Sequence, residues 1–243
     1  MKLHILAIAA HPDDVELSAA GTIIKHVLKG QAVGILDLTM GELGTRGTPK
    51  IRYEESMNSA KIMGLAVREN AMMEDGFFGN DKEHQLRLAK YIRHYQPEIV
   101  IANALHDRHP DHRRGGRLIA DACFIAGLRK VETSWEGEAQ TAWRPKRVYH
   151  MIQDRIYEPT FIVDISATFD KKMETIRAFK SQFHNPESDE PITYIATDAF
   201  IKNIEFRAST LGKQIGTRYA EGFICENLPG MSDLDSLLLP ELA

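Results

Sequence analysis

The apolar positions of this chain come in short runs, separated by longer stretches with helical spacing. "LHILAIA" (3–9) has the length and continuity of a strand buried on both faces. "VELSAAGTIIKHVLKG" (15–30) follows, with apolar residues at helical spacing and a glycine stop at Gly30. The next strand is "AVGILDLT" (32–39), then the glycine-rich loop "MGELGTRGTPK" (40–50) and a helix over 51–64 that again ends on glycine. A weaker strand at 67–73, a helix at 83–95 and a strand at 98–103 come next. A helix of about fifteen residues, beginning near Arg113, completes this half of the chain.

The strand–helix alternation predicts an α/β fold. It implies a Rossmann-like, mostly parallel sheet with helices on both faces and right-handed crossovers. In such sheets ligands sit beyond the carboxyl ends of the strands. After residue 130 the rhythm loosens. Residues 131–145 read as loop, 147–153 and 160–165 as strands, and 167–181 and 198–211 as helices. "FHNPESDEPITY" (183–194), with its prolines and acidic residues, reads as an exposed loop. No internal repeat or low-complexity linker divides the chain. One domain over 1–243 is expected, its last ~15 residues a loosely held tail.

Composition narrows the classes of function. A hydrophobic fraction of 43% and a charged fraction of 26% suit a soluble globular protein. A net charge of −4 provides no basic footprint for nucleic acid, although a local arginine cluster binds a small anion whatever the global balance. The apolar runs are far too short to span a bilayer, and the start lacks the pattern of a signal peptide. Cys123 and Cys225 are too few for a disulfide framework and read as packing thiols. A cytoplasmic protein without membrane or nucleic-acid partners is expected.

Two of the strand ends carry unusual side chains. "HPDDVE" (11–16) follows the first strand, and "DRHPDH" (107–112) partly repeats it after the fourth. Adjacent carboxylates are unfavourable unless a cation or hydrogen bonds neutralise them. Capping of the next helix accounts for one aspartate, but not for His11, the second aspartate or the echo. A mononuclear catalytic zinc site takes three protein ligands and keeps a fourth position open for water. His11 and Asp14, three residues apart at a strand-to-helix turn, supply two ligands, and His112 supplies a third from the other cluster. Asp13 is left over as the base that takes a proton from water. His109 is left over to stabilise an oxyanion or protonate a leaving amine, with Asp111 fixing its tautomer. His4, His26, His84, His94, His106, His150 and His184 lack this context and read as surface or packing residues. Asp75, in "EDGFFG", is a candidate pocket residue, with a turn role as the plainer reading. Neither a G-x-G-x-x-G fingerprint after the first strand nor a G-x-S-x-G elbow is present.

With "AAHPDD" and "RHPDH" placed, the chain resembles the LmbE-like (PIG-L) family of zinc-dependent N-deacetylases acting on N-acetylglucosamine conjugates. "VELSAAGTI", "DLTMGELGTRGT", "ACFIAGLRK" and "YAEGF" carry the likeness to about residue 224 and are similar to its bacillithiol-biosynthesis branch. The resemblance implies the same roles: His11, Asp14 and His112 on one Zn²⁺ per subunit, Asp13 as base, and His109 with Asp111 behind it. Another divalent metal also suits a His₂Asp set. The resemblance further implies Arg52 and Arg108 as substrate contacts. A malate aglycone carries two carboxylates, which guanidinium forks pair with at two points. Arg46, in "GTRGT", is a third candidate on a glycine-flanked loop. Glu16 either touches a sugar hydroxyl or merely favours the helix N-terminus electrostatically. Phe200 stands where relatives of this branch place a tyrosine.

The implied substrate is a small anionic sugar conjugate, N-acetylglucosaminyl-malate first. Mycothiol-like, thiol S-conjugate and chitin-derived sugars are alternatives on the same fold. The resemblance also implies a homo-oligomer of trimeric or hexameric symmetry. A non-catalytic sugar-binding module has no need of Asp13 beside three ligands, and a two-metal phosphoesterase needs more bridging carboxylates.

Overall fold

Strand β1 (Ile5–Ala9) is buried along its whole length and forms the axis of the fold. In this computed structural model, which describes residues 1–238, β1 lies between β2 (Val33–Asp37) and β4 (Ile99–Ala102). It runs parallel to both, with Ile5 opposite Val33 on one side and Ile99 on the other. Cover on both faces is why the run is apolar at every position. The pleat divides its side chains. Ile5, Ala7 and Ala9 pack on Val15, Ala19 and Ile23 of helix α1 (Asp14–Leu28). Leu6 and Ile8 pack on the opposite side with Leu88 and Ile92 of α3 (Lys82–Tyr95) and Leu118 of α4 (Pro110–Ala126).

The sheet continues through β3 (Val67–Asn70) beyond β2, and through β7 (Arg147–Met151) beyond β4, both parallel. Strand β9 (Ala220–Ile224), antiparallel to both its neighbours, and then β8 (Phe161–Asp164) complete the order β3-β2-β1-β4-β7-β9-β8. The chain leaves β1 toward β2 on one side and later adds β4 on the other. The point of reversal lies between β1 and β4, where α/β sheets open a ligand crevice. Both histidine–aspartate clusters begin there.

Strand β9 is not evident in the sequence, because Glu221 and Gly222 interrupt its apolar pattern. The structure buries Glu221 as a partnered charge. Its carboxylate accepts from Lys172 Nζ (2.6 Å) and from the backbone N–H groups of Gly21 (3.0 Å) and Thr22 (2.8 Å). The expected 131–145 loop contains a small hairpin, β5 (Ser134–Trp135) and β6 (Glu138–Ala139), turning through Glu136 and Gly137 at positive φ. Helix α4 starts at Pro110 rather than near Arg113, since proline suits the first helical position and His109 caps the N-terminus. Helix α2 (Pro49–Met63) is capped by Thr48, whose side chain accepts from the Ile51 N–H, and it ends at Gly64 with φ 76°.

Helix α5 (Phe169–Arg177) is shorter than expected and α6 (Asp198–Gln214) longer. They form a further core through Phe169, Ile176, Phe179 and Ile204. Cys123 is buried, Cys225 half-buried, and both thiols are free. The expected tail falls partly outside the described residues. Its described part holds an exposed 3₁₀ turn at Asp235–Leu237. Among the described residues, no helix is long and apolar enough to cross a membrane.

Candidate metal and catalytic site

Asp14, the first residue of α1, is buried with its carboxylate between two imidazoles. Oδ1 lies 2.9 Å from His112 Nε2, and Oδ2 lies 3.6 Å from His11 Nδ1. Each ring has a carboxylate behind its other nitrogen. His11 Nε2 meets Asp75 at 2.9 Å and Asp111 at 3.4 Å, and His112 Nδ1 meets Asp107 at 2.8 Å. Such backing fixes a ring's orientation and raises the basicity of the free nitrogen. Asp14 is itself held by Asn103 Nδ2 (3.1 Å) and Gln153 Nε2 (3.0 Å), and Asn103 Oδ1 is anchored by the Ala10 N–H (2.7 Å).

These residues fit a divalent cation. Ligand-capable atoms of His11, His109 and His112 lie within 4.8 Å of one another, and so do those of His11, Asp75 and Asp111. In the second group both acids have other partners: Asp75 accepts from the Leu43 N–H (3.0 Å), and Asp111 from the Gly76 N–H (2.8 Å) and Arg114 (2.9 Å). Electrostatics agrees with the fit. Burial disfavours a charged His112, yet Asp14 and Asp107 outweigh it and push the ring up to about 9. Burial likewise opposes charge on His11, and hydrogen bonds to Asp111, Asp14 and Asp75 raise it nonetheless. Against burial, His112 and His11 hold Asp14 well below the usual carboxylate range. A cluster of buried and half-buried imidazoles with surplus carboxylates favours added positive charge.

Asp13 occupies the N-cap position of α1 in the left-handed region, with φ 109° and no side-chain capping bond. That conformation is strained for a residue with a Cβ, by about 1–3 kcal/mol, and such strain tends to collect at functional sites. Its carboxylate faces Arg52 Nη2 at 3.1 Å. Burial pushes Asp13 up to about 7, Asp14 adding to the effect and Arg52 opposing it.

His109 caps α4 by accepting the Asp111 N–H on Nδ1 at 3.3 Å. The neutral ring therefore carries its proton on Nε2. Burial, with His11 and His112 nearby, lowers His109 to about 4. The expected support from the Asp111 carboxylate takes another form. The backbone N–H of Asp111 orients His109, while its carboxylate serves His11 and Arg114. The later start expected for α4 concealed this capping arrangement.

A cleft of about 410 Å³ opens over the cluster, lined by His11, Asp13, Asp75, Arg52, His109 and Arg108 among others. Arg52 donates to Pro12 O (2.7 Å), Gly41 O (3.1 Å) and Asp13. Gly41 has φ 65°, and a Cβ there would lie 1.9 Å from Arg52 Nη1, so the glycine-rich loop closes directly over this guanidinium. Arg108 sits at the rim, 49% exposed, its Nε 3.3 Å from Asp154 and its guanidinium 4.6 Å above the Tyr194 ring. Arg46 is buried, donating to Ser181 O (2.7 Å), Pro191 O (3.0 Å) and Ser188 Oγ (3.0 Å), which ties two loops together. Glu16 is fully buried, ion-paired with Arg68 and accepting from Ser59 Oγ (2.6 Å), and it lines neither this cleft nor its neighbour.

Three positioning residues escaped the sequence reading. Asp107 stood inside the quoted "DRHPDH", Asn103 closes the β4 run, and Gln153 has no local signal at all. Asp75 entered only as a pocket candidate beside a turn reading.

The profile described as GlcNAc-PI de-N-acetylase (PIG-L) matches residues 6–123. The chain is 29% identical over 228 residues to diacetylchitobiose deacetylase from Thermococcus kodakarensis, covering 90% of this chain and 81% of that protein. It is 30% identical to 4-oxalmesaconate hydratase from Pseudomonas putida, over 74% of each. It is 28% identical to a probable N-acetyl-alpha-D-glucosaminyl L-malate deacetylase 2 from Bacillus cereus, over 75% of this chain and 84% of that protein. Among solved structures, a conserved protein from Thermus thermophilus superposes with a TM-score of 0.85 at 32% identity, over 96% of this chain and 98% of that one. The chain belongs to the PIG-L family, and it is a hydrolase of an amide C–N bond.

Proposed function

We propose that the protein removes the N-acetyl group from a small N-acetylglucosamine conjugate, with N-acetylglucosaminyl-malate as substrate and Zn²⁺ as the ion. The observation that carries this reading is the Asp14 carboxylate set between His11 and His112, with the carboxyl of Asp13 beside it. His11 Nδ1, Asp14 and His112 Nε2 would hold the ion, their orientation set by Asp75 and Asp107. When bound, the ion supplies Lewis acidity toward the acetyl carbonyl and eases the deprotonation of water.

The side chains do the remainder. Asp13, with a pKa raised to about 7, takes the proton from the water that attacks the acetyl carbon. His109, neutral and protonated on Nε2, donates to the oxygen that becomes negative in the tetrahedral intermediate. The C–N bond then breaks and a proton returns to the departing amine. Acetate and the free glucosamine conjugate leave, the water divided between them.

The aglycone reading is supported by Arg52 and Arg108 in the same cleft, where a dicarboxylate meets two guanidinium groups. The similarity to a malate-conjugate deacetylase points the same way. A homo-oligomer belongs to this reading, and sedimentation velocity tests it. The functional test is acetate release from N-acetylglucosaminyl-malate, diacetylchitobiose and a thiol S-conjugate, with and without chelator. The malate conjugate should have the highest kcat/KM, and chelator should abolish turnover. A higher kcat/KM on either other conjugate would reassign the substrate. Hydration of an unsaturated dicarboxylate without acetate release would replace deacetylation altogether.

A further inference from the structure

The cleft over the cluster has a second lobe of about 170 Å³, with Leu17, Ile195, Phe200 and Ile204 among its walls. The two lobes share Asp14, Leu17, Arg108, His112, Tyr194 and Ile195, so a molecule bound over the cluster extends from one into the other. Arg207 of α6 also lines the second lobe. Its guanidinium makes one long hydrogen bond, from Nη2 to Leu17 O at 3.4 Å. Among the described residues no carboxylate oxygen lies within 4.0 Å of it; the nearby acids are engaged elsewhere. Asp154 accepts from Arg108 (3.3 Å) and Tyr194 Oη (2.9 Å). Glu221 belongs to Lys172 and the α1 backbone. Asp107 takes His112 Nδ1 and the N–H groups of His109, Asp154 and Arg155.

A half-buried guanidinium against aliphatic and aromatic walls, with most of its donors free and open to the lobe, offers an anion a ready partner. The low-dielectric walls strengthen whatever pairing forms there. Neither the sugar nor the acetamide is charged, so the anion has to come from the aglycone.

We infer that Arg207 is a specificity-determining residue: in the apolar lobe it takes a carboxylate of the aglycone, while Arg108 holds the rim. This rests on the deacetylase reading of the neighbouring cluster, and it adds a third guanidinium that no motif marks. The fork geometry favours a planar carboxylate, which accepts two parallel N–H bonds.

The experiment compares wild type, Arg207→Gln and Arg207→Lys by kcat/KM on N-acetylglucosaminyl-malate and on the neutral methyl glycoside of N-acetylglucosamine. Free L-malate is titrated calorimetrically into the same three proteins, each checked by thermal melting. In Arg207→Gln the ratio of anionic to neutral kcat/KM should fall about tenfold or more, with L-malate binding weakened to a similar degree. Arg207→Lys should retain part of both. An unchanged ratio and an unchanged malate affinity in Arg207→Gln would overturn the assignment, as would equal loss in the Lys and Gln variants. If wild type releases acetate from neither conjugate, the deacetylase reading falls by itself. The malate titrations then still decide for or against Arg207.

Discussion

Asp107 Oδ1 lies 2.8 Å from His112 Nδ1 and also accepts the backbone N–H of His109 at 3.0 Å. One buried carboxylate thus orients the His112 ring and pins the backbone of His109. Asp107→Ala should weaken divalent-metal affinity about 10- to 100-fold, the usual effect of removing a carboxylate behind a ligating histidine. Competition against a chromophoric chelator measures it, and unchanged affinity would show that His112 is positioned without this partner.

Asp13→Asn tests the base. Asparagine tolerates the left-handed backbone that Asp13 adopts and keeps an acceptor for Arg52, so the fold and the metal should be retained. Turnover should fall about 10²- to 10⁴-fold. A variant with full metal content and near-native kcat would remove Asp13 from the proton transfer.

Gly116 tests the seating of α4. A Cβ there would lie 2.8 Å from Asn103 O and 2.9 Å from Ala104 O, both backbone atoms at the end of β4. Gly116→Ala should destabilise the protein by about 1–3 kcal/mol, visible as a lowered denaturant midpoint. Because Asn103 and His112 sit at either side of this contact, metal affinity should fall with it.

Arg68 tests the polar core behind the site. Its guanidinium pairs with Glu16 and, through two bonds of 2.8 and 3.0 Å, with Asp37. Arg68→Met should cost about 3–5 kcal/mol at neutral pH, since two carboxylates would stay buried without a cation. Burial already raises Asp37 against the pull of Arg68, and losing Arg68 raises it further. The folded variant then binds protons that the unfolded chain does not between the ordinary and the raised carboxylate values. Its deficit should therefore shrink as pH falls through that window and grow as pH rises. A pH-independent deficit in chemical denaturation would contradict this.

The convergence of residues 11, 14 and 112 was legible because each cluster is contiguous and follows an unmistakable buried strand. Parallel-sheet topology then places both at one crevice. Asp75, Gln153 and Arg207 arrive from a turn, a strand end and a distant helix, and no local pattern marks such contributions. β9 was hidden by Glu221, whose charge is neutralised only in three dimensions by Lys172. The tautomer of His109 depended on where α4 begins, which Pro110 decides and the apolar spacing does not.

The most direct measurement is an anomalous-difference map at the zinc edge, from crystals of the zinc-loaded protein. One peak is expected per chain, bonded by His11 Nδ1, Asp14 and His112 Nε2. A peak bonded instead by His11, Asp75 and Asp111, or no peak near His112, would contradict the account.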